Sequence, residues 1–285
     1  MEYFKLAGYY EETNENGQYW TDGEKVYCSG YEIKGADINS FVQFPGYWAM
    51  DKKYCYSSDR KIKDADRETF KVLNYTYAKD RENVWTMVGK IKKADAETFE
   101  VCDNGKYSLG KQKRGEKIHE LFSPYGYGKD KNNVYYYDAQ GKPSIVKNAL
   151  SRSFLSLNDG YFGSDESSIF CGKNKLNKAN PKTWVKYAQG YFYSKDKYVY
   201  YYNRVIKEAD INTFEVIIFD DKKMNIPLCQ LAKDKDNHYC NDLIITKEEF
   251  NEKFKSQEEH LEMMCKIINQ GYTYDSLRKT VYKGK

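Results

Sequence analysis

Short stretches in which apolar or aromatic residues alternate with polar ones recur along the chain, in pairs separated by a cluster of Asp, Asn and Lys. Clear copies are YAKDRENVW at 77–85, YGKDKNNVYYY at 127–137, YSKDKYVYYY at 193–202 and AKDKDNHYC at 232–240. A period of two residues is typical of strands, and Asp or Asn between two such stretches favours a turn. Each copy therefore predicts one antiparallel hairpin.

Seven units of this kind carry an Asp in the turn, and these are Asp22, Asp51, Asp80, Asp130, Asp165, Asp196 and Asp234. A calcium loop is the alternative interpretation, because such loops also contain Asp and Asn. However, calcium loops place carboxylates at alternate positions, whereas Lys131 stands beside Asp130 with no second acid nearby. We therefore expect the turn Asp residues to bind backbone N–H groups and predict no metal.

A second phrase gives the chain a fixed period. IKGADINSFV, IKDADRETFKV and IKKADAETFEV place Asp37, Asp66 and Asp95 at intervals of 29 residues, with further copies at 146–157, 176–185 and 205–216. Asp is a favoured N-cap, and a hydroxyl three residues later can close the turn on it, so the phrase predicts a one-turn helical connector. The aromatic residue of each connector phrase is predicted to be buried in the core, next to a small Ala. The aromatic residues are Phe41, Phe70, Phe99, Trp184 and Phe214, and the alanines are Ala36, Ala65, Ala94, Ala179 and Ala209.

Each unit of about 29–31 residues thus supplies two or three short strands and a connector, which is too little to fold alone. The predicted fold is mainly β, with tandem antiparallel hairpin repeats in an open or strongly twisted stack. A propeller-like closed ring is the alternative. The repeat domain is placed at 1–245, with an insertion at 102–125 that we expect to be an exposed loop.

The last 40 residues, 246–285, change in type. Thr246 and Glu249 have the spacing of a capping box, and apolar residues then recur at helical intervals until Gly271. This predicts an amphipathic helix that is packed on the repeats and covers a sheet edge, with recruitment of a partner as the alternative. A final hairpin is expected after the helix.

The phrase KDKNNVYYY resembles the motif of the DKNYP repeat family of bacterial proteins, and the resemblance extends over roughly residues 19 to 250. It implies the repeat fold but no activity. The last unit departs from the pattern, because ITKEEF stands where the Ala-Asp phrase is expected.

Charge and cysteine content narrow the function classes. The 46 basic and 42 acidic residues nearly balance, so no strong field favours nucleic acid or anionic lipid, and a mean hydropathy of −0.87 predicts no membrane span. No apolar leader opens the chain, and the seven Cys form no CxxC pair, which favours free buried thiols in a cytoplasmic monomer. Export of a chain whose leader has been removed is the alternative.

The sequence contains no HExxH, GxSxG or P-loop, and Cys28, Cys171 and Cys240 all fall six residues after a turn Asp. We therefore expect no enzyme activity, no cofactor and no metal. A cysteine nucleophile, a zinc site or a glycosidase-type carboxylate pair would each need residues that the repeat spacing does not bring together.

The predicted function is that of a non-enzymatic protein-binding protein, specifically an immunity protein that neutralises a toxin encoded by a neighbouring gene. A glycan or cell-envelope binding module with exposed Tyr and Trp is the first alternative, and a hydrolase is the second. Residues that break the repeat are free to serve a partner, and alternate rings of a strand should face outward. The predicted contact residues are Lys111, Lys113, Arg114, Tyr125, Tyr135, Tyr137, Tyr200 and Tyr202.

Overall fold

The computed structural model describes residues 4–5, 19–28, 31–114, 117–139, 141–188, 190–219, 229–269, 272–275 and 280–283, with side chains except at 4–5, 108–121 and from 264 onward. The chain divides into two compact units. Unit 1 comprises Met1–Tyr107 and Ser123–Glu166, and unit 2 comprises Ser108–Phe122 and Ser167–Lys285. The sequence predicts a different division, between a β-repeat domain at 1–245 and a helix with a final hairpin at 246–285. That domain division stays a prediction.

Unit 1 is built from short antiparallel strands, four to each complete sheet. The first sheet contains β1 (Phe4–Lys5), β2 (Tyr19–Thr21), β3 (Val26–Cys28) and β4 (Tyr31–Glu32); the second, β5 (Val42–Gln43), β6 (Trp48–Met50), β7 (Cys55–Ser57) and β8 (Arg60–Lys61). The third contains β9 (Lys71–Val72), β10 (Ala78–Lys79), β11 (Val84–Thr86) and β12 (Gly89–Lys90). The sequence predicts two or three strands per unit, but the structure has four because strands of only two residues pair along both edges of each hairpin.

The fourth sheet has the order β13-β16-β17-β18, and a separate two-stranded ribbon, β14-β15, stands between its first two strands in the chain. These strands are β13 (Glu100–Val101), β14 (Lys106–Arg114), β15 (Lys117–Pro124), β16 (Gly126–Lys129), β17 (Val134–Tyr137) and β18 (Ser144–Ile145). The prediction that the insertion at 102–125 is an exposed loop is therefore wrong. Two stretches of nine and eight residues, separated by only residues 115 and 116, pair with each other instead.

The boundary between the units falls within the fifth repeat. Its strands β19 (Leu155–Ser156) and β20 (Phe162–Ser164) pair in unit 1, and β21 (Ile169–Cys171) and β22 (Asn174–Lys175) pair in unit 2. The sixth sheet contains β23 (Val185–Lys186), β24 (Tyr193–Lys195), β25 (Val199–Tyr201) and β26 (Arg204–Ile206); the seventh, β27 (Glu215–Val216), β28 (Leu231–Lys233), β29 (His238–Cys240) and β30 (Leu243–Ile245). In the described residues every sheet has a linear strand order, so no sheet closes into a barrel.

The hydrophobic core of unit 1 lies between consecutive sheets. Tyr77 and Val84 of the third sheet share one buried cluster with Phe99, Tyr135 and further residues of the fourth. Similar clusters lie between the first and second sheets and between the second and third. The predicted packing of neighbouring hairpin repeats is confirmed within this unit, since each sheet buries side chains that a lone hairpin would leave in water.

In the chain, the seventh sheet is followed by helix α1 (Lys247–Asn269). A hairpin of β31 (Tyr272–Asp275) and β32 (Thr280–Lys283) comes after the helix, as predicted. The capping box is confirmed, since the Thr246 N–H donates to Glu249 and the Glu249 N–H donates to the Thr246 hydroxyl. Phe250 stands four residues after this cap, as Phe70 stands four residues after Asp66, so the helix is a connector turn that continues.

Phe250 packs with Leu231 of β28 and lies 4.8 Å, between ring centroids, from His238 of β29. These are the inner strands of the seventh sheet. The helix therefore covers the inner strands of this sheet, because Phe250 occupies the place that the connector ring has between other sheets. The predicted covering of a sheet edge stays a prediction.

No helix in the part of the chain that the structure describes is long and apolar enough to cross a membrane. Cys229 and Cys240 form a disulfide, which corrects the expectation that all the cysteines are thiols. Spacing alone could not reveal this pair, because β28 and β29 bring the two residues together across a hairpin.

Candidate functional site

The turn Asp residues are structural hubs. The Oδ1 atom of Asp130 accepts the N–H groups of Asn132 and Asn133 at 2.8 Å each, and Oδ2 accepts the Asp95 N–H at 2.9 Å. The Tyr135 hydroxyl lies 2.8 Å from the same Oδ2. Equivalent bonds are made by Asp51 and Asp234. The predicted backbone-binding role is confirmed, and it explains why an acid recurs at this position.

The connector Asp residues act as N-caps, as predicted. Asp95 Oδ1 accepts both the N–H and the hydroxyl of Thr98 at 3.0 Å. Lys131, which follows the hub Asp, places its Nζ 2.7 Å from Asp95 Oδ2. This hydrogen bond to the ammonium group lowers the pKa of Asp95 to about 2. The second Lys of the KDK phrase thus ties the hairpin turn to the connector.

The first Lys of the phrase points toward the next repeat. Lys79 Nζ donates to the carbonyl oxygens of Ala96 and Phe99 at 2.8 and 3.0 Å, and Lys129 Nζ donates to that of Phe154 at 3.1 Å. These carbonyls lie in or beside the following connector. The phrase therefore couples a repeat both to the connector before it and to the connector after it.

Each connector ring is enclosed by aromatic side chains of two sheets. The centroid of Phe99 lies 5.4 Å from that of Tyr77 and 5.9 Å from that of Tyr135. A Cβ on Gly128 would lie 2.4 Å from Phe99 Cζ, so this slot requires a very small residue. Phe41, Phe70 and Phe214 are buried in the same way. The packing prediction is confirmed for these four rings, whereas Trp184 is half-buried.

Three of the predicted contact tyrosines lie in the core. Tyr135 and Tyr137 are each 1% exposed and Tyr200 is fully buried, so their placement on an outward face is wrong. The expectation treated the strands as half-buried, but β17 and β25 are inner strands whose two faces are both covered. Tyr202 is half-buried and stacks on Phe192 with the ring centroids 3.9 Å apart.

Tyr125 belongs to a group of three half-buried rings, here called the tyrosine cluster, which also contains Tyr107 and Tyr161. The ring centroids lie 4.9–5.4 Å apart. Burial raises the pKa of Tyr107 to about 12, so its hydroxyl stays protonated at neutral pH. The remaining predicted residues, Lys111, Lys113 and Arg114, lie on strand β14, and their side chains are outside the described residues.

A half-buried carboxylate, that of Asp103, stands close to the tyrosine cluster in the chain. Asp103 accepts the N–H groups of Gly105 and Tyr127 at 2.9 Å and the Ser156 hydroxyl at 2.8 Å. Burial raises the pKa of Asp103, although these hydrogen bonds oppose the shift. A Cβ on Gly126 would lie 2.2 Å from its Oδ1, so Gly126 leaves room for the carboxylate.

The sequence analysis missed Asp103, Tyr107 and Tyr161. A signal existed, because Asn74 and Asp159 open similar turns and accept the N–H groups two and three residues later. Self-comparison of the loops would have shown a second Asx turn in several repeats. Among residues whose positions the structure gives, no three His, Cys, Asp or Glu side chains are grouped to hold a metal ion.

Tandem short sheets, joined by connectors whose Asp and Phe interlock with the next hairpin, define a β-repeat protein. A sequence model of the DKNYY family matches residues 19–68 and 48–203, and the chain belongs to this family. The resemblance seen in the KDKNNVYYY phrase is thereby confirmed. No curated protein and no solved structure matches the chain.

Proposed function

We propose that this protein is a non-enzymatic protein-binding protein whose contact surface lies on the β14-β15 ribbon. The supporting observation is that the repeated polar side chains serve the fold, as shown by Asp130 with four hydrogen-bonding neighbours and by Lys79 and Lys131 on the connectors. Side chains outside the repeat slots remain for a partner. The ribbon is the longest insertion into the repeats.

The ribbon carries three cationic residues within four positions, Lys111, Lys113 and Arg114. Such a group suits an acidic surface on the partner, where complementary charge raises the association rate. The narrower proposal is an immunity protein of the cytoplasm whose partner is a toxin domain encoded by a neighbouring gene. It rests on the use of the repeat chemistry for structure, which leaves the ribbon for a partner.

The direct test is calorimetric titration of the full chain with the product of the adjacent gene. Reversing the three charges, with Lys111→Glu, Lys113→Glu and Arg114→Glu, should weaken binding at least about tenfold, or 1.4 kcal/mol, and leave the melting temperature within a degree or two. Undiminished binding in this variant would move the interface away from the ribbon. No binding of any neighbour-encoded protein would refute the immunity proposal.

A matched control makes the same change of charge on the repeats. Lys34, Lys63 and Lys92 are exposed and occupy one slot in three successive units. Reversal of these three should leave binding unchanged. An equal loss in both variants would indicate a general effect of net charge and not a contact on the ribbon.

The tyrosine cluster favours one other function, binding of a glycan. Aromatic rings offer a flat apolar face with a hydroxyl at one end, which suits stacking against a sugar. A glycan array should then give a specific hit that Tyr125→Ala or Tyr161→Ala abolishes. Tyr202→Ala, which removes a half-buried ring elsewhere, is the control. An array without a hit would remove this candidate.

A further inference from the structure

The disulfide of Cys229 and Cys240 joins the residue just before Gln230 and β28 to the last residue of β29, with the Cα atoms 5.9 Å apart. This separation lies in the usual range for disulfides. Leu231 pairs with Cys240 in the strand register, so the bond closes the hairpin of the two inner strands. The bond thereby fixes Cys229 beside the end of β29.

Only one of the two bonded cysteines occupies a repeat position. Cys240 occupies the slot, six residues after the turn Asp, that Cys28 and Cys171 occupy in other repeats. Cys229 belongs to none of the repeated phrases. In a repeat protein, residues in shared slots serve the fold, so a departure from the pattern that creates a covalent bond points to a specific role.

The C-terminal helix contacts Cys229 and the apolar cluster around it. Gln257 Nε2 donates to the Cys229 carbonyl oxygen at 2.6 Å, and the rings of Phe254 and Phe219 lie 5.3 Å apart. Both half-cystines pack against the same apolar cluster as Phe254 and Leu261. The middle of the helix thus depends on the position of Cys229, whereas its first turn is held by the capping box and Phe250.

We propose that the Cys229–Cys240 disulfide is a redox clasp for helix α1. A dithiol reductant transfers two electrons and two protons to the bond, which becomes two thiols while the reductant becomes a disulfide. Cys229 is then released from β29, and the helix loosens from Phe254 onward while its first turn stays in place. The inference is independent of the proposed partner.

The test is hydrogen exchange of the full chain followed by mass spectrometry, before and after reduction with dithiothreitol. A non-reducing peptide map should contain the linked peptides of Cys229 and Cys240. Reduction should speed exchange of residues 254–263 at least about tenfold and leave residues 71–90 of the third sheet unchanged. Closure of a loop of about a dozen residues also predicts a fall in melting temperature of about 5–10 °C on reduction.

Two variants separate the clasp from other effects of reduction. The double variant Cys229→Ala, Cys240→Ala should show the fast exchange with or without dithiothreitol. Cys102→Ala, which removes a half-buried thiol elsewhere, should keep the full response of the helix. Absence of the linked peptides, unchanged exchange on reduction, or a double variant that still responds to the reductant would overturn the proposal.

Discussion

Replacement of Asp130 by Ala tests the hub that joins a hairpin turn to the preceding connector. The carboxylate is 2% exposed and has four donors within 2.9 Å. Two of them can find another acceptor, since Asn132 is an exposed residue beside water and the Tyr135 hydroxyl also lies 2.9 Å from the Lys93 carbonyl oxygen. The N–H groups of Asn133 and Asp95 lose their partner.

The expected loss follows from these two bonds. A hydrogen bond to a charged acceptor contributes about 1.5–3 kcal/mol, so Asp130→Ala should lower the free energy of unfolding by about 3–6 kcal/mol. For a chain of this size the melting temperature should fall by about 6–20 °C. Thermal unfolding followed by circular dichroism gives the value, and hydrogen exchange at Asp95 and Asn133 shows whether the loss is local.

Asp22 offers a matched control in the first repeat. Its carboxylate accepts the N–H groups of Glu24 and Lys25 and the Tyr27 hydroxyl, but it is more exposed than Asp130. Asp22→Ala should therefore destabilise the protein less. A loss below about 1 kcal/mol for Asp130→Ala, or equal losses for the two variants, would refute the assignment of the hub bonds.

Four further outcomes are expected. Phe99→Ala should cost about 3–5 kcal/mol of unfolding free energy, because the ring is 3% exposed; a loss below about 1 kcal/mol would place it outside the core. Gly128→Ala should cost about 1–3 kcal/mol through the clash with Phe99, and most of this cost should vanish in the Phe99→Ala background; strictly additive losses would contradict the contact. The pKa of Asp95 is lowered from 3.8 to about 2 by Lys131, so the contribution of this carboxylate to stability is present above about pH 4 and is lost as the pH falls toward 2. In an NMR titration, Lys131→Met should return this pKa toward 3.8, and an unchanged value would rule out the ion pair. EDTA should leave the melting temperature unchanged, because the turn carboxylates bind backbone N–H groups, and a clear fall would restore the calcium interpretation.

The interlocking of hairpin and connector gives the family motif a physical meaning. Its Asp binds the turn and the connector, its Lys pairs with the connector Asp, and its Tyr donates to the hub carboxylate, as in Asp130, Lys131 and Tyr135. Each of these contacts joins a hairpin turn to itself or to a connector, so the motif residues serve the fold. A match to the motif therefore indicates the architecture, and the proposed partner contact is placed on a segment that differs between repeats.

Features that depend on contacts between near neighbours in the chain were predictable from the amino-acid pattern alone. The Asx turn at Asp130, the N-cap at Asp95 and the capping box of Thr246 all bind groups within three residues, so their pattern is visible in a single copy. Because these local patterns recur every 29 residues, they also predicted the hairpin repeats.

Which strand faces are covered, and which distant segments meet, depends on how the sheets stack and could not be predicted from the local pattern. Tyr135 and Tyr200 stand in Val-Tyr-Tyr-Tyr runs whose alternate rings would face outward in a half-exposed strand, yet both are buried because sheets or connectors pack on both faces. The bond from the Asp95 N–H to Asp130 spans 35 residues, and the Cys229–Cys240 bond depends on the register of β28 and β29. The physical reason is that burial and long-range contacts depend on how neighbouring sheets stack, and the local pattern of one strand contains no information about the sheet that will cover it.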